Sequence, residues 1–154
     1  MTLTAPVGSE LVLVRFPDGV IVNLSPKIFC SAEVGTGADG REHGPAWVRA
    51  GSESSVVDTG ISLARLREVA DRVGLDLIPA TRGNRHALIN PLRIVAMEDS
   101  FHPKGTWSVY VEGDPAAFNV HGEALGSFPI QDAGDIAAYG PEGAPVSEAL
   151  SPAV

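Results

Sequence analysis

Apolar and polar positions alternate in short runs along most of the chain, and the runs recur. The stretch LVLVRFPDGVIVNL (11–24) has two β-rich segments around Pro17-Asp18-Gly19. There Pro fixes one backbone angle and Gly supplies the reverse bend, so the stretch predicts a hairpin. LDLIPATRGNRHALI (75–89) has the same outline around Arg82-Gly83-Asn84. Each ends just before a proline, Pro26 or Pro91. With the prolines superposed, Val22 meets Ala87, Leu24 meets Ile89, Phe29 meets Ile94 and Ala32 meets Met97. Each copy then crosses a polar segment to one of the two tryptophans. Trp47 is followed by VRAGSESSVV and Trp107 by SVYVEGDPAAFNV, each a strand, a glycine turn and a second strand. A repeat of this kind sets the whole architecture.

The copies diverge afterwards. In SLARLREVADRVG (62–74) the residues Leu63, Leu66, Val69, Ala70 and Val73 fall on one helical face. Ser62 is placed to cap the start and Gly74 to end it. The matching stretch of the second copy is interrupted by Gly126, Pro129 and Gly134. The expected fold is therefore α+β and β-rich: two related β-hairpin modules, one clear amphipathic helix (62–73) and an extended C-terminal tail. The divisions are an N-terminal arm (1–10), a first module with the helix (11–74), a second module (75–139) and the tail (140–154).

Composition changes this picture little. Seventeen Gly and twelve Pro favour turns and short strands over long helices. The net charge of −8 is uneven, for no Lys or Arg follows Lys104, whereas seven acids do. An acidic chain repels nucleic acid unless its bases cluster, and Arg65, Arg67 and Arg72 are interleaved with Glu68 and Asp71. No direct nucleic-acid contact is expected. Neither a signal peptide nor an apolar run of membrane-spanning length is visible, so a soluble protein is expected. Cys30, the only cysteine, reads as a buried thiol within IFCSA.

The repeated segment carries a resemblance. VRFPDGVIVNLSPKIF and TRGNRHALINPLRIVAME resemble the FlbD-type small flagellar and swarming-motility proteins over about 20 residues each. The carriers are Arg15, Gly19, Ser25-Pro26 and Phe29 in one copy. In the other they are Arg82, Asn84, Ile89-Asn90-Pro91 and Ile94. Ser25 departs from the Asn of the motif, and no Gly follows Asn84. The resemblance implies a small β-rich module near a large assembly and no catalytic residue.

Candidate chemistry is sparse. GTGADG (35–40) matches G-x-G-x-x-G, but that fingerprint needs a helix after it, and Gly44 and Pro45 stand in the way. It reads instead as the start of a 12-residue loop, Gly35–Ala46, where the second copy uses Ser100–Thr106. His43 and His102 fall in these two loops. His86 and His121 fall on candidate strands, with Glu98, Asp99 and Glu123 in the same module, so a metal-dependent enzyme is one alternative; no ligand pair has diagnostic spacing. Trp47 and Trp107 read as one core anchor per module. No catalytic, cofactor-binding or metal residue is assigned. The leading expectation is a non-catalytic structural or interaction protein whose partners are other protein subunits, in an assembly such as a phage virion. A regulatory or adaptor module is the other alternative. The expected partner contacts are Gly35, Asp39 and His43 in the loop and Val146, Leu150 and Val154 in the tail.

Overall fold

Short alternating runs of this kind become strands, and glycine turns fold them back on their neighbours, so every pairing is antiparallel. The computed structural model describes residues 12–51, 55–100, 103–126 and 130–133. The order is β1 (Val14–Arg15), β2 (Ile21–Val22), β3 (Phe29–Thr36), β4 (Glu42–Ala50), β5 (Ser55–Asp58), α1 (Leu63–Arg72), β6 (Ile78–Thr81) and β7 (Arg85–Ile89), then a 3-10 turn (Pro91–Arg93), β8 (Ile94–Asp99), β9 (Thr106–Val111), β10 (Phe118–His121) and a second 3-10 turn (Gly122–Leu125). β1 and β2 form a separate hairpin, and the other eight strands form one sheet, β5-β4-β3-β7-β6-β10-β9-β8. The fold is β-rich with one helix, as the patterning predicts.

The repeat survives at the level of single hydrogen bonds. Phe16 N donates to Val20 O at 2.8 Å, and Arg82 N to Arg85 O at 3.1 Å. Ile28 N donates to Ser25 O, and Arg93 N to Asn90 O. Gly51 N reaches Ile28 O at 2.8 Å, and Glu112 N reaches Arg93 O at 2.9 Å. A bulge falls between Phe29 and Ser31 in β3 and between Ile94 and Ala96 in β8. Each half is thus a hairpin, a turn and a three-stranded meander. The helix follows the first meander and a 3-10 turn follows the second.

The helix forms where the apolar spacing puts it. Ser62 accepts a hydrogen bond from Arg65 N, and Leu63, Leu66, Val69 and Ala70 are buried. Gly74 at φ 78° reverses the chain, a conformation that costs any other residue. Each buried Leu or Val contributes about 1.5–3 kcal/mol by leaving water.

The two halves bury opposite faces of the shared sheet. α1 and the β1–β2 hairpin lie on the face that carries Ala32, Val34 and Leu88, and close a core with Val14, Val22, Leu24 and Leu66. On the other face Ile78, Ala80, Ala87, Ile89, Val109, Val111, Phe118 and Val120 pack together. The β6–β7 hairpin serves both, since Leu88 faces the first core and its neighbours Ala87 and Ile89 face the second. Adjacent strand residues point to opposite faces, so a strand between two cores is apolar at consecutive positions.

Two expectations are corrected. Gly35–Ala46 is not a long loop: β3 runs to Thr36, β4 begins at Glu42, and Gly35 pairs with His43. The polar residues that suggested a loop are strand residues at an exposed hairpin end, free of any packing demand. Nor is Trp47 a core anchor. Glu33 pairs with Trp47, but the equivalent Glu98 pairs with Ser108. The tryptophans are therefore one residue out of register, and a slip of one residue changes the face. Trp107 packs against the second core, whereas Trp47 is 38% exposed.

Candidate functional site

Beyond its pairing with β3, the β6–β7 ribbon is stapled to the first half by one buried residue. Asn90, 0% exposed, follows β7 immediately. Its Oδ1 accepts from Leu92 N and so starts the 3-10 turn. Its Nδ2 donates to Phe29 O at 2.8 Å and Pro26 O at 3.3 Å, and its backbone N donates to Cys30 O at 2.9 Å. A buried amide with its polar groups occupied fixes a contact that apolar packing alone leaves free to slide. Cys30 is fully buried as expected, and burial pushes its thiol up from the ordinary value.

A buried ionic network welds the same seam. Arg82, at the β6–β7 turn, grips Glu33 of β3 through Nε and Nη2, a two-pronged contact suited to the planar guanidinium. Its Nη1 donates to Asp114 at 2.8 Å and to Ala116 O at 3.1 Å, and the guanidinium lies 4.1 Å over the Phe118 ring. Arg49 of β4 reaches the same Asp114 carboxylate at 3.1 Å. The side chains of Glu33 and Asp114 are 6% and 2% exposed. Charges buried this deeply persist only when paired, which makes the network a strut. Arg85 completes it, 3.7 Å from Glu33 and stacked 5.0 Å from the Trp47 ring.

Beyond α1, on the face of the first core, β6, β7 and β10 are left partly uncovered. A cavity of about 450 Å³ lies there, walled by Leu63, Ala64 and Arg67 of the helix and by Leu88, His86 and His121 of the sheet. His86 and His121, which the sequence offers as a pair, therefore share a cavity. His86 Nδ1 lies 3.1 Å from a Glu42 carboxylate oxygen. Glu98 and Asp99 are on β8, the far edge strand, away from this cavity. Among the described residues no group of three His, Cys, Asp or Glu side chains is placed to hold a metal ion.

The expected contact residues Gly35, Asp39 and His43 come together at the β3–β4 hairpin end. Asp39 accepts from Arg41 N at 2.9 Å and meets His43 Nε2 at 3.2 Å. The Arg41 amide, then His43, holds the Asp39 carboxyl below its ordinary value. The three glycines differ: a Cβ on Gly37 would stand 2.6 Å from the movable His43 ring, Gly40 takes φ 74°, and Gly35 has open space beside it. Thr36 ties this end to the β6–β7 turn, its N and Oγ1 both donating to Asn84 O. A strand, β4, and not a helix follows Gly40. Val146, Leu150 and Val154 lie outside the described residues.

The margins of the sheet carry what sequence reasoning missed. β8 is an edge strand whose only strand neighbour among the described residues is β9. Its Val95 is 69% exposed and Met97 37%, with Leu92 beside it at 78%. β5, the opposite edge, exposes Val56 and Val57, each at 52%. Natural sheets normally blunt such edges with charge, proline or a covering segment. The signal was the run IVAM after the second proline, which reads equally well as a buried strand.

No family model, curated protein or solved structure matches the chain. Among the described residues no helix is long and apolar enough to cross a membrane.

Proposed function

We propose that the chain is a non-catalytic interaction protein, a subunit of a larger assembly such as a phage virion, that takes other protein subunits along the open margin of its sheet. The observation that carries this reading is the β8 edge, with Val95 and Met97 exposed beside backbone groups that have no further strand neighbour among the described residues. An added strand would satisfy those groups and cover the side chains at once. The network around Arg82 supports the same reading, because its charges are spent on each other and hold the scaffold rigid. Amide hydrogen exchange compares the isolated chain with the protein purified in its native assembly. Strong slowing at Ile94–Asp99 in the assembly is the expected result; equal exchange in both sinks the reading.

A second reading, a small metal-dependent enzyme, draws on His86, His121 and Glu42 lining one cavity, although the three are not placed as a metal-holding group. It requires a stoichiometric metal in the purified protein that is lost on His86→Ala and His121→Ala. Metal-free protein would dispose of it.

A further inference from the structure

The internal repeat says what the β8 edge is shaped to receive. In the first half, β3 has β4 on one side and β7 on the other. β7 is the second strand of the next half's hairpin. In the second half β8 stands where β3 stands and has β9 on one side, but among the described residues no hairpin lies on the other. At the opposite end of the repeat the reciprocal vacancy occurs. β2 is the counterpart of β7, and its only strand neighbour among the described residues is β1. One edge thus lacks a β7-like strand, and one β7-like strand lacks an edge. A single chain supplies both halves of a contact it makes only once within itself.

We infer that the occupant of the β8 edge is a second copy of this chain, docked through its β2 strand in the register that β7 uses on β3. The inference rests on the reading of the chain as an interaction subunit and names its partner. Within the chain Ser31 pairs with Ile89, Ala32 with Leu88, Glu33 with Ala87 and Val34 with His86. The repeat carries these onto Ala96 with Leu24, Met97 with Asn23, Glu98 with Val22 and Asp99 with Ile21 of the second copy. The hairpin is already set for it. Val14 pairs with Val22 as Ala80 pairs with Ala87, and both pairs face the core of their own half. The second copy therefore docks without unpacking β1–β2.

Charge follows the same equivalence. Glu33 is met by Arg82, and the position equivalent to Arg82 is Phe16. The cation at that place is Arg65, 4.8 Å over the Phe16 ring and already paired with Asp18, so an incoming Glu98 shares a cation that Asp18 holds. The staple is weaker. Asn90 binds Phe29 O and Pro26 O through its side chain, whereas its counterpart is Ser25, too short to span the same gap. The contact between copies is accordingly a loosened form of the contact within one. It is head-to-tail, so it propagates into a ring or a filament rather than closing as a symmetric pair.

The register is tested with cysteine variants, Asn23→Cys in one preparation and Met97→Cys in another, mixed and mildly oxidised. A disulfide-linked 23–97 dimer is expected, with no 97–97 product; the doubly substituted chain gives a ladder of higher species. Native Cys30 is buried and stays out of the reaction. A gain of function gives an independent readout: Ser25→Asn restores the staple and strengthens self-association about tenfold by sedimentation velocity, the worth of one good hydrogen bond. A dominant 97–97 product overturns the inference, as does a chain that stays monomeric, forms no 23–97 link and gains nothing from Ser25→Asn. Either failure leaves the proposed function to its own readout, protection of β8 in the native assembly.

Discussion

The two halves of the molecule start from one pattern and close their cores by different means. The first lays a ten-residue amphipathic helix over its meander, so Leu63, Leu66 and Val69 complete a core the strands leave open. Among the described residues the second has the 3-10 turn Gly122–Leu125 at that point, and its core is made of strand residues including Phe118 and Val120, with Leu125 partly buried against it. The difference teaches that the repeated unit is the hairpin and meander, while the lid is interchangeable. The β6–β7 ribbon is the element that both arrangements use.

The largest way to break this comparison is to empty each core in turn. Phe118→Ala should cost about 3–5 kcal/mol and Leu66→Ala about 3 kcal/mol, large cavities in well-packed interiors. Because the ribbon is common property, each should lower one transition, not split it in two. Calorimetry that resolves two transitions in either variant refutes the shared wall. Next, Arg82→Ala leaves Glu33 and Asp114 buried with one cation fewer, a loss of about 3 kcal/mol. A chemical denaturation midpoint close to wild type would mean the strut is idle.

Smaller changes sharpen the comparison. Asn90→Ala strands the Phe29 carbonyl and should cost about 2 kcal/mol, whereas Ser25→Ala at the equivalent place should cost under about 0.5 kcal/mol in dilute, monomeric protein. Equal losses would say that the repeat treats the two positions alike. Ser62→Ala removes the cap of α1 and should cost about 1 kcal/mol, with helical circular dichroism falling alongside. Smallest is the pH response of the hairpin end. Asp39 is held below its ordinary 3.8 by the Arg41 amide and His43, so the stabilisation from its ionised form is complete above that value and is lost as pH falls through the lowered one. An NMR titration of Asp39 that follows an unperturbed carboxylate would contradict the hydrogen bonds seen there.

Much of the fold was legible because prolines and turn residues act locally. Pro26 and Pro91 superpose the halves, and the Ser62 and Gly74 signals bound the helix to within a residue. The tryptophan match was misleading for the same reason, since a conspicuous side chain does not report the strand register that decides its face. The polar run at 35–46 looked like a loop because an exposed hairpin end has no core to enforce alternation. The ionic strut was out of reach, since Arg82 meets partners 49 and 32 residues away, and nothing at such separation marks the chain locally. The cavity was half legible: His86 and His121 fell on candidate strands, but Glu42 was assigned to a loop. The edges were hidden because IVAM has the composition of an interior strand.

The position of Ala87 and Leu88 has a consequence for how this sequence can drift. Two copies of a motif ordinarily diverge independently, each answering to its own surroundings. Here consecutive residues on one strand answer to different interiors, Ala87 to one and Leu88 to the other. A change that suits one half moves the backbone under the other, so acceptable replacements come in compensating sets. Outside that ribbon the halves are free to part company, and the lid and the tryptophans record that they have. The history of the chain should be written at its periphery and nearly erased at its seam.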